Sequence, residues 1–194
     1  MNSFTVNLHP IIELTDEQFY QLCLNNRDLK FERTANGELL IMPPTGGETG
    51  RRNIKISAQL EVWSSQNSLG VAFDSSTCFK LPNRADRSPD AAWVKRECWD
   101  TLTPEQKVKF PPICPDFVIE LRSPTDAIEK LREKMREYLA NGCRLGWLID
   151  PQTQQVEIYH LNQEVEVLLS PTTLSGKSVL PGFVLNLQPI MFLD

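Results

Sequence analysis

The 194-residue chain is short of positive charge: 20 Lys and Arg against 25 Asp and Glu leave a formal net charge of −5. This argues against broad nucleic-acid binding by charge alone, so a phosphate partner requires a local basic patch or a bound cation. No apolar run approaches the ~20 residues of a membrane-spanning helix, and no basic start followed by an apolar stretch resembles a signal peptide. The expected location is the cytoplasm. Cys23, Cys78, Cys98, Cys114 and Cys143 include no C-x-x-C pair and lie far from His9 and His160. This argues against a zinc site or a disulfide framework and for buried free thiols. Repeats, linkers and low-complexity segments are also lacking, as expected of one domain.

What the chain does contain is a strand with two unlike faces, Pro115-Asp116-Phe117-Val118-Ile119-Glu120-Leu121-Arg122-Ser123. Side chains alternate with a period of two, so Phe117, Ile119 and Leu121 share one face and Asp116, Val118, Glu120 and Arg122 the other. A solvent-facing strand would carry Thr, Lys or Ser there, and a fully buried one would not carry a carboxylate followed by a guanidinium. The carboxylate face is where chemistry is sought.

Around it, Thr15-Asp16-Glu17-Gln18 has the capping-box pattern and opens a short helix ending near Asn25-Asn26. Leu29 to Arg33 and Glu38 to Met42 flank Asn36-Gly37, a strong hairpin signal, and both units read as scaffold. A helix is expected from Glu48 to Gln66, with Glu48 in its first turn, where a carboxylate suits the helix dipole. Alternation from Val71 to Leu81 predicts one half-buried strand. The polar segment with Arg84 and Arg87 leads into Ser88-Pro89-Asp90 and a short strand opened by Asp90. Thr103-Pro104-Glu105 starts a brief helix. After the two-faced strand, a helix is expected from Ala127 to Asn141, with Leu131, Met135, Tyr138 and Leu139 inward and Lys134 at the apolar edge. Strands follow at Leu145 to Asp150, Val156 to His160 and Val165 to Leu169, and the tail from Val184 to Leu187 is expected to close the sheet.

Successive strands usually neighbour each other, so the carboxylates of Asp90 and Glu120 can converge. Two carboxylates meet the minimum for Mg²⁺, which takes water and substrate phosphate as its other ligands. Arg122, about 7 Å along the strand from Glu120, is close enough to hold a phosphate oxygen or an attacking water, whereas Asp116, about 13 Å away, is not and is given a strand-starting role. The plainer alternative is a structural ion pair of Glu120 with Arg122 or Lys134.

Ser88-Pro89-Asp90, the run from Pro115 to Asp126, Lys134-Met135-Arg136-Glu137-Tyr138 and Gly142-Cys143-Arg144-Leu145-Gly146-Trp147-Leu148-Ile149-Asp150-Pro151 together resemble the Uma-two family of restriction-endonuclease-like proteins, within the PD-(D/E)XK nuclease superfamily. The resemblance covers nearly the whole chain. It implies an α/β (mixed α+β) fold, a mixed sheet flanked by helices: one domain over residues 1–194, with a helix-and-hairpin extension over 1–43, a nuclease core over 44–160 and closing strands over 161–194. It implies a Mg²⁺ (or Mn²⁺)-dependent endonuclease acting on DNA, with Asp90, Glu120, Arg122 and Lys134 catalytic and Asp90, Glu120 and Glu48 at the metal. Arg122 stands where the family pattern of E-x-K has lysine, and Lys134 is the substitute cation from the following helix. Arg51, Arg52, Arg84 and Arg87, with Lys55, are the candidate phosphate contacts, doubled in a homodimer. The rival reading is a catalytically silent nucleic-acid- or protein-binding module that keeps the fold.

Overall fold

The computed structural model describes residues 4–192. The chain begins with β1 (Phe4–Val6) and α1 (Asp16–Asn25), whose capping box is formed by Thr15 and Gln18. The hairpin β2 (Lys30–Arg33) and β3 (Leu39–Met42) follows, turning at Gly37, which has a φ of 83° that glycine adopts without steric cost. The long helix α2 (Gly47–Asn67) leads to β4 (Gly70–Asp74), β5 (Phe79–Lys80), β6 (Asp86–Arg87) and β7 (Ala91–Lys95). Two short helices, α3 (Arg96–Asp100) and α4 (Pro104–Val108), precede the two-faced strand β8 (Phe117–Leu121). Then come α5 (Ile128–Ala140), β9 (Leu145–Asp150), β10 (Gln155–His160), β11 (Glu166–Leu169), β12 (Thr173–Ser175), β13 (Val184–Asn186) and α6 (Gln188–Met191). Among the described residues no helix is long and apolar enough to cross a membrane, and all five cysteines are free.

A six-stranded sheet in the order β11-β10-β9-β8-β7-β4 forms the frame, antiparallel except for β8 against β9. That parallel pair needs a crossover, and α5 supplies it. Alternation sorts the strand residues onto two faces. Trp93, Phe117, Ile119, Leu121, Trp147 and Ile149 pack with Ile56, Leu60 and Trp63 of α2 and with the C-terminal segment. On the opposite face Ala92, Val94, Val118 and Leu148 pack against Met135 and Tyr138 of α5. Glu120 follows Val118 on the α5 side. Gly146 lets α5 lie close to β9, since an added Cβ there would collide with Met135.

A second sheet, β1-β3-β2-β6-β5, stands over the α5 side. It joins the N-terminal hairpin to the segment before Asp90 through the pairing of Arg33 with Asp86.

Two elements differ from expectation. The strand expected from Val71 to Leu81 is two strands in different sheets, because Asp74 turns the chain: its side chain accepts from Ser76 N at 3.0 Å and Ser76 Oγ at 2.6 Å. Such local side-chain bonds compete with a strand ladder. The tail does not close the large sheet. Among the described residues its β13 pairs only with β12, and Leu185 and Phe183 cover the core on the α2 side.

Candidate active site

Asp90 immediately precedes β7, and Ala91 pairs with Ile119, so the antiparallel register sets Asp90 across from Glu120. Asp90 Oδ2 accepts from Leu121 N at 2.8 Å and Oδ1 from Asn53 Nδ2 of α2 at 2.9 Å, which fixes the carboxylate plane from two elements. The strands thus deliver both carboxylates to one end of the β7–β8 pair. Both line a cleft of about 420 Å³ together with the loop from Pro43 to Gly47, Ser88, the turn from Ser123 to Asp126, and Leu131 and Lys134 of α5.

Glu120 is 3% exposed, and its Oε1 accepts from Tyr138 Oη at 3.0 Å and lies 2.9 Å from Lys134 Nζ. Burial pushes its carboxyl up to about 7; Lys134 opposes the rise, while Asp90 and Glu32 add to it. Its Oε2 has no hydrogen-bond partner among the described residues. Lys134 Nζ is also 2.9 Å from Glu32 Oε1, so one ammonium is shared by two buried carboxylates. Burial alone would favour neutral lysine, but Glu120 and Glu32 together hold the ammonium above its ordinary value. Lys134 is therefore a fixed cation and hydrogen-bond donor, not a base.

Glu32 completes the arrangement from β2. Its Oε1 also accepts from Ser88 N at 2.9 Å, and Oε2 accepts from Arg87 Nη1 at 3.1 Å. Burial would raise the Glu32 carboxyl, yet Lys134 and Arg87 overcome this and bring it down to about 2. Arg87 continues the chain by donating from Nε to Glu137 Oε2 of α5 at 2.5 Å. The hairpin, the segment before β7 and α5 are thus locked together around Lys134. Nothing in the sequence distinguished Glu32, Tyr138 or Asn53 as site residues. Burial of Glu32 beside the equally buried Arg33 in a four-residue strand is visible only once the second sheet is formed.

The remaining candidates are dispersed. Arg122 does not reach the cleft: its Nη1 donates to Asp150 Oδ2 at 2.8 Å and its Nε to Asp126 O at 3.2 Å, beside a separate cavity of about 130 Å³. The strand ends at Leu121, and a carboxylate at the end of β9 draws the guanidinium away from Glu120. Glu48 lines the cleft but is exposed and lies 3.6 Å from Arg52. Among the described residues no three His, Cys, Asp or Glu side chains form a metal-holding group, so Glu48 does not complete a triad with Asp90 and Glu120. The basic residues do not form one patch either. Arg87 is buried in its two ion pairs and Arg84 pairs with Glu13 at 3.0 Å beside the hairpin turn. On α2, Arg52 donates to Ile190 O and Lys55 to Pro189 O, while Arg51 lies on an exposed face. Asp116 holds the start of β8, accepting from Lys95 N at 2.8 Å.

Two carboxylates on adjacent strands suit a hard divalent ion, since Mg²⁺ commonly takes one or two carboxylates and keeps several waters. Glu120 Oε2, without a hydrogen-bond partner among the described residues, adds oxygen of the kind such an ion uses.

The fold, a mixed α+β arrangement of sheets and helices, has a counterpart among solved structures. The structure is similar to "a putative nuclease belonging to DUF820 from Anabaena variabilis ATCC 29413", with a TM-score of 0.70 at 22% identity over 83% of this chain and 89% of that one. The family model Uma2, described as "Putative restriction endonuclease", matches residues 16–188, and the chain belongs to that family. No curated protein matches the chain.

Proposed function

We propose that the protein is a Mg²⁺-dependent endonuclease hydrolysing phosphodiester bonds in DNA. The observation that carries this reading is the meeting of Asp90, Glu120 and the Lys134 ammonium in one open cleft. Asp90 and Glu120 would hold the ion, which when bound supplies neutralising charge to a phosphodiester and lowers the pKa of water. Asn53 and the backbone of Leu121 keep Asp90 in one orientation, so the site is organised before substrate arrives. Lys134, kept charged by Glu32 and Glu120 and also donating to Ser88 O, acts through its charge and stabilises negative charge that develops at phosphorus. Tyr138 and Lys134 both restrain Glu120 Oε1, so Oε2 is the oxygen that would be left for an ion. Membership in a family described as restriction endonucleases supports DNA as the partner. The same reading places the protein in the cytoplasm as a homodimer, whose two clefts would address the two strands of a duplex.

The test is nicking of supercoiled DNA with Mg²⁺. Asp90→Ala and Glu120→Ala are each expected to abolish cleavage while the circular-dichroism spectrum stays native. Undiminished cleavage in both variants refutes the assignment. Metal-independent DNA binding, unaltered by Glu120→Gln and without any cleavage, would instead establish the silent binding module.

A further inference from the structure

The hairpin β2–β3 and helix α5 are tied together by Glu32 with Lys134, and the segment before β7 is tied to α5 by Arg87 with Glu137. Beyond these ties the hairpin and the helix border a second cavity, of about 570 Å³, within the about 300–1,000 Å³ of small-molecule sites. This cavity shares Met42, Thr125, Asp126, Leu131 and Lys134 with the cleft of Asp90 and Glu120, so the two adjoin across Lys134. The chemistry of the cleft leaves the second cavity unused.

Its lining combines two kinds of surface. In the register of the hairpin Leu40 lies opposite Glu32 and Met42 opposite Lys30, so both belong to the face that meets α5. Leu40 and Met42 are partly buried, yet neither packs into an apolar cluster of the core, whereas Phe31, Leu39 and Ile41 on the other face do. With Leu131 of α5 they give the cavity apolar walls suited to a flat ring. The polar groups divide into occupied and available ones. Glu32 and Glu137 are held by Lys134 and Arg87, but the Glu38 carboxylate accepts only from the Thr34 hydroxyl, at 3.4 Å. Glu133 and Lys130 of α5 are exposed and have no hydrogen bond or ion pair among the described residues. Carboxylates outnumber ammoniums in this lining, which disfavours a phosphate and favours a neutral group that donates hydrogen bonds. An exocyclic amino group is such a donor, and a carbonyl or ring nitrogen beside it matches the Lys130 ammonium. Cytosine carries both on one edge, whereas thymine, of the same size, lacks the amino group.

We infer that the cavity between the hairpin and α5 is a subsite for an unstacked, amino-bearing nucleobase, cytosine foremost, of the strand presented to Asp90 and Glu120. The inference rests on the nuclease reading for its ligand. Leu40, Met42 and Leu131 pack on the ring, and Glu38 and Glu133 select its amino group. The subsite fixes which nucleotide stands beside the cleft, a role separate from metal binding.

The experiment measures, by fluorescence anisotropy without divalent ions and at mildly alkaline pH, the affinity of the protein for oligodeoxycytidine, oligothymidine and abasic strands of equal length. Single strands remove the cost of unstacking a duplex, and equal length keeps the backbone charge constant. The native protein is expected to bind oligodeoxycytidine about ten-fold more tightly than oligothymidine, the low end of discrimination by a specific base contact, and to bind the abasic strand most weakly. In the Glu38→Gln/Glu133→Gln double variant the ratio of the first two affinities should fall to near one, a ratio that cancels the altered net charge. Leu40→Ala should bring oligothymidine down to the abasic level, with a native circular-dichroism spectrum in every variant. Equal affinity of the native protein for the three strands, no binding of any of them, or preferences that persist in the variants overturns the subsite. Mg²⁺-dependent nicking of supercoiled DNA together with equal affinities overturns the subsite and leaves the nuclease reading standing. Base preference that the variants abolish, in a protein that binds no Mn²⁺, upholds the subsite and removes the metal-dependent reading alone.

Discussion

Replacing Lys134 by Met removes the ammonium and keeps most of the side-chain volume. Two buried carboxylates then lose the cation that lies 2.9 Å from each. Glu32 retains Arg87 and Ser88 N, but Glu120 keeps only the Tyr138 hydroxyl. Removing one partner of a buried pair costs about 3–5 kcal/mol, because the other charge stays buried and uncompensated. The cost depends on pH with a definite sign. Glu120 is already pushed up to about 7 from the usual 4.5, so its ionisation diminishes stability as pH rises through that interval, and without Lys134 its pKa lies higher still. Below about pH 5 Glu120 is neutral in the folded variant, and its share of the penalty falls away. Urea denaturation at about pH 8 and about pH 5 therefore should show a larger loss at the higher pH. Adding Glu120→Gln to Lys134→Met should recover more than about 1 kcal/mol at pH 8, since the two sites share one interaction. A loss below about 1 kcal/mol that is equal at both pH values, with additive double-variant behaviour, would refute the shared-ammonium account.

Glu32→Gln should remove part of the acid-limb stability loss: the Glu32 carboxyl is held down to about 2, so its contribution is complete above about pH 4.5 and disappears as pH falls toward 2. Acid denaturation followed by fluorescence checks this, with the variant less stable at neutral pH and less sensitive between those values. Asn53→Ala frees one oxygen of Asp90 and should weaken Mn²⁺ binding about ten-fold, the scale for partners that orient a ligand. Arg122→Ala should leave Mn²⁺ binding unchanged and cost about 1–3 kcal/mol in urea, because the buried Asp150 carboxylate loses its ion pair.

The frame of this site was legible where one local rule governs. Alternation along Phe117–Leu121 sorted Glu120 onto the face opposite Phe117, Ile119 and Leu121, and the Asn36-Gly37 turn and the Thr15 and Thr103 caps lie where sequence patterns place them. Lys134 at the apolar edge of α5 followed from helical spacing and indeed lies over β8. What could not be read was the pairing over distance. Glu32 and Lys134 are 102 residues apart, and only the second sheet brings the hairpin against α5. Arg122 illustrates the converse. Its spacing from Glu120 suggested a shared face, but the strand ends one residue earlier and Asp150 at the end of β9 competes for the guanidinium. The basic residues around Asp90 were likewise visible as charges, whereas their carboxylate and carbonyl partners became visible only in three dimensions.

The central claim is that Asp90 and Glu120 form a working ion site for DNA hydrolysis. It is tested most directly by Mn²⁺ binding, followed by spin resonance, for the native protein and the Asp90→Ala/Glu120→Ala double variant, each with and without a cleavage-resistant DNA duplex. The expected result is binding to the native protein that strengthens with DNA and vanishes in the double variant. Absence of specific binding under every condition, or binding that survives both substitutions, would contradict the claim.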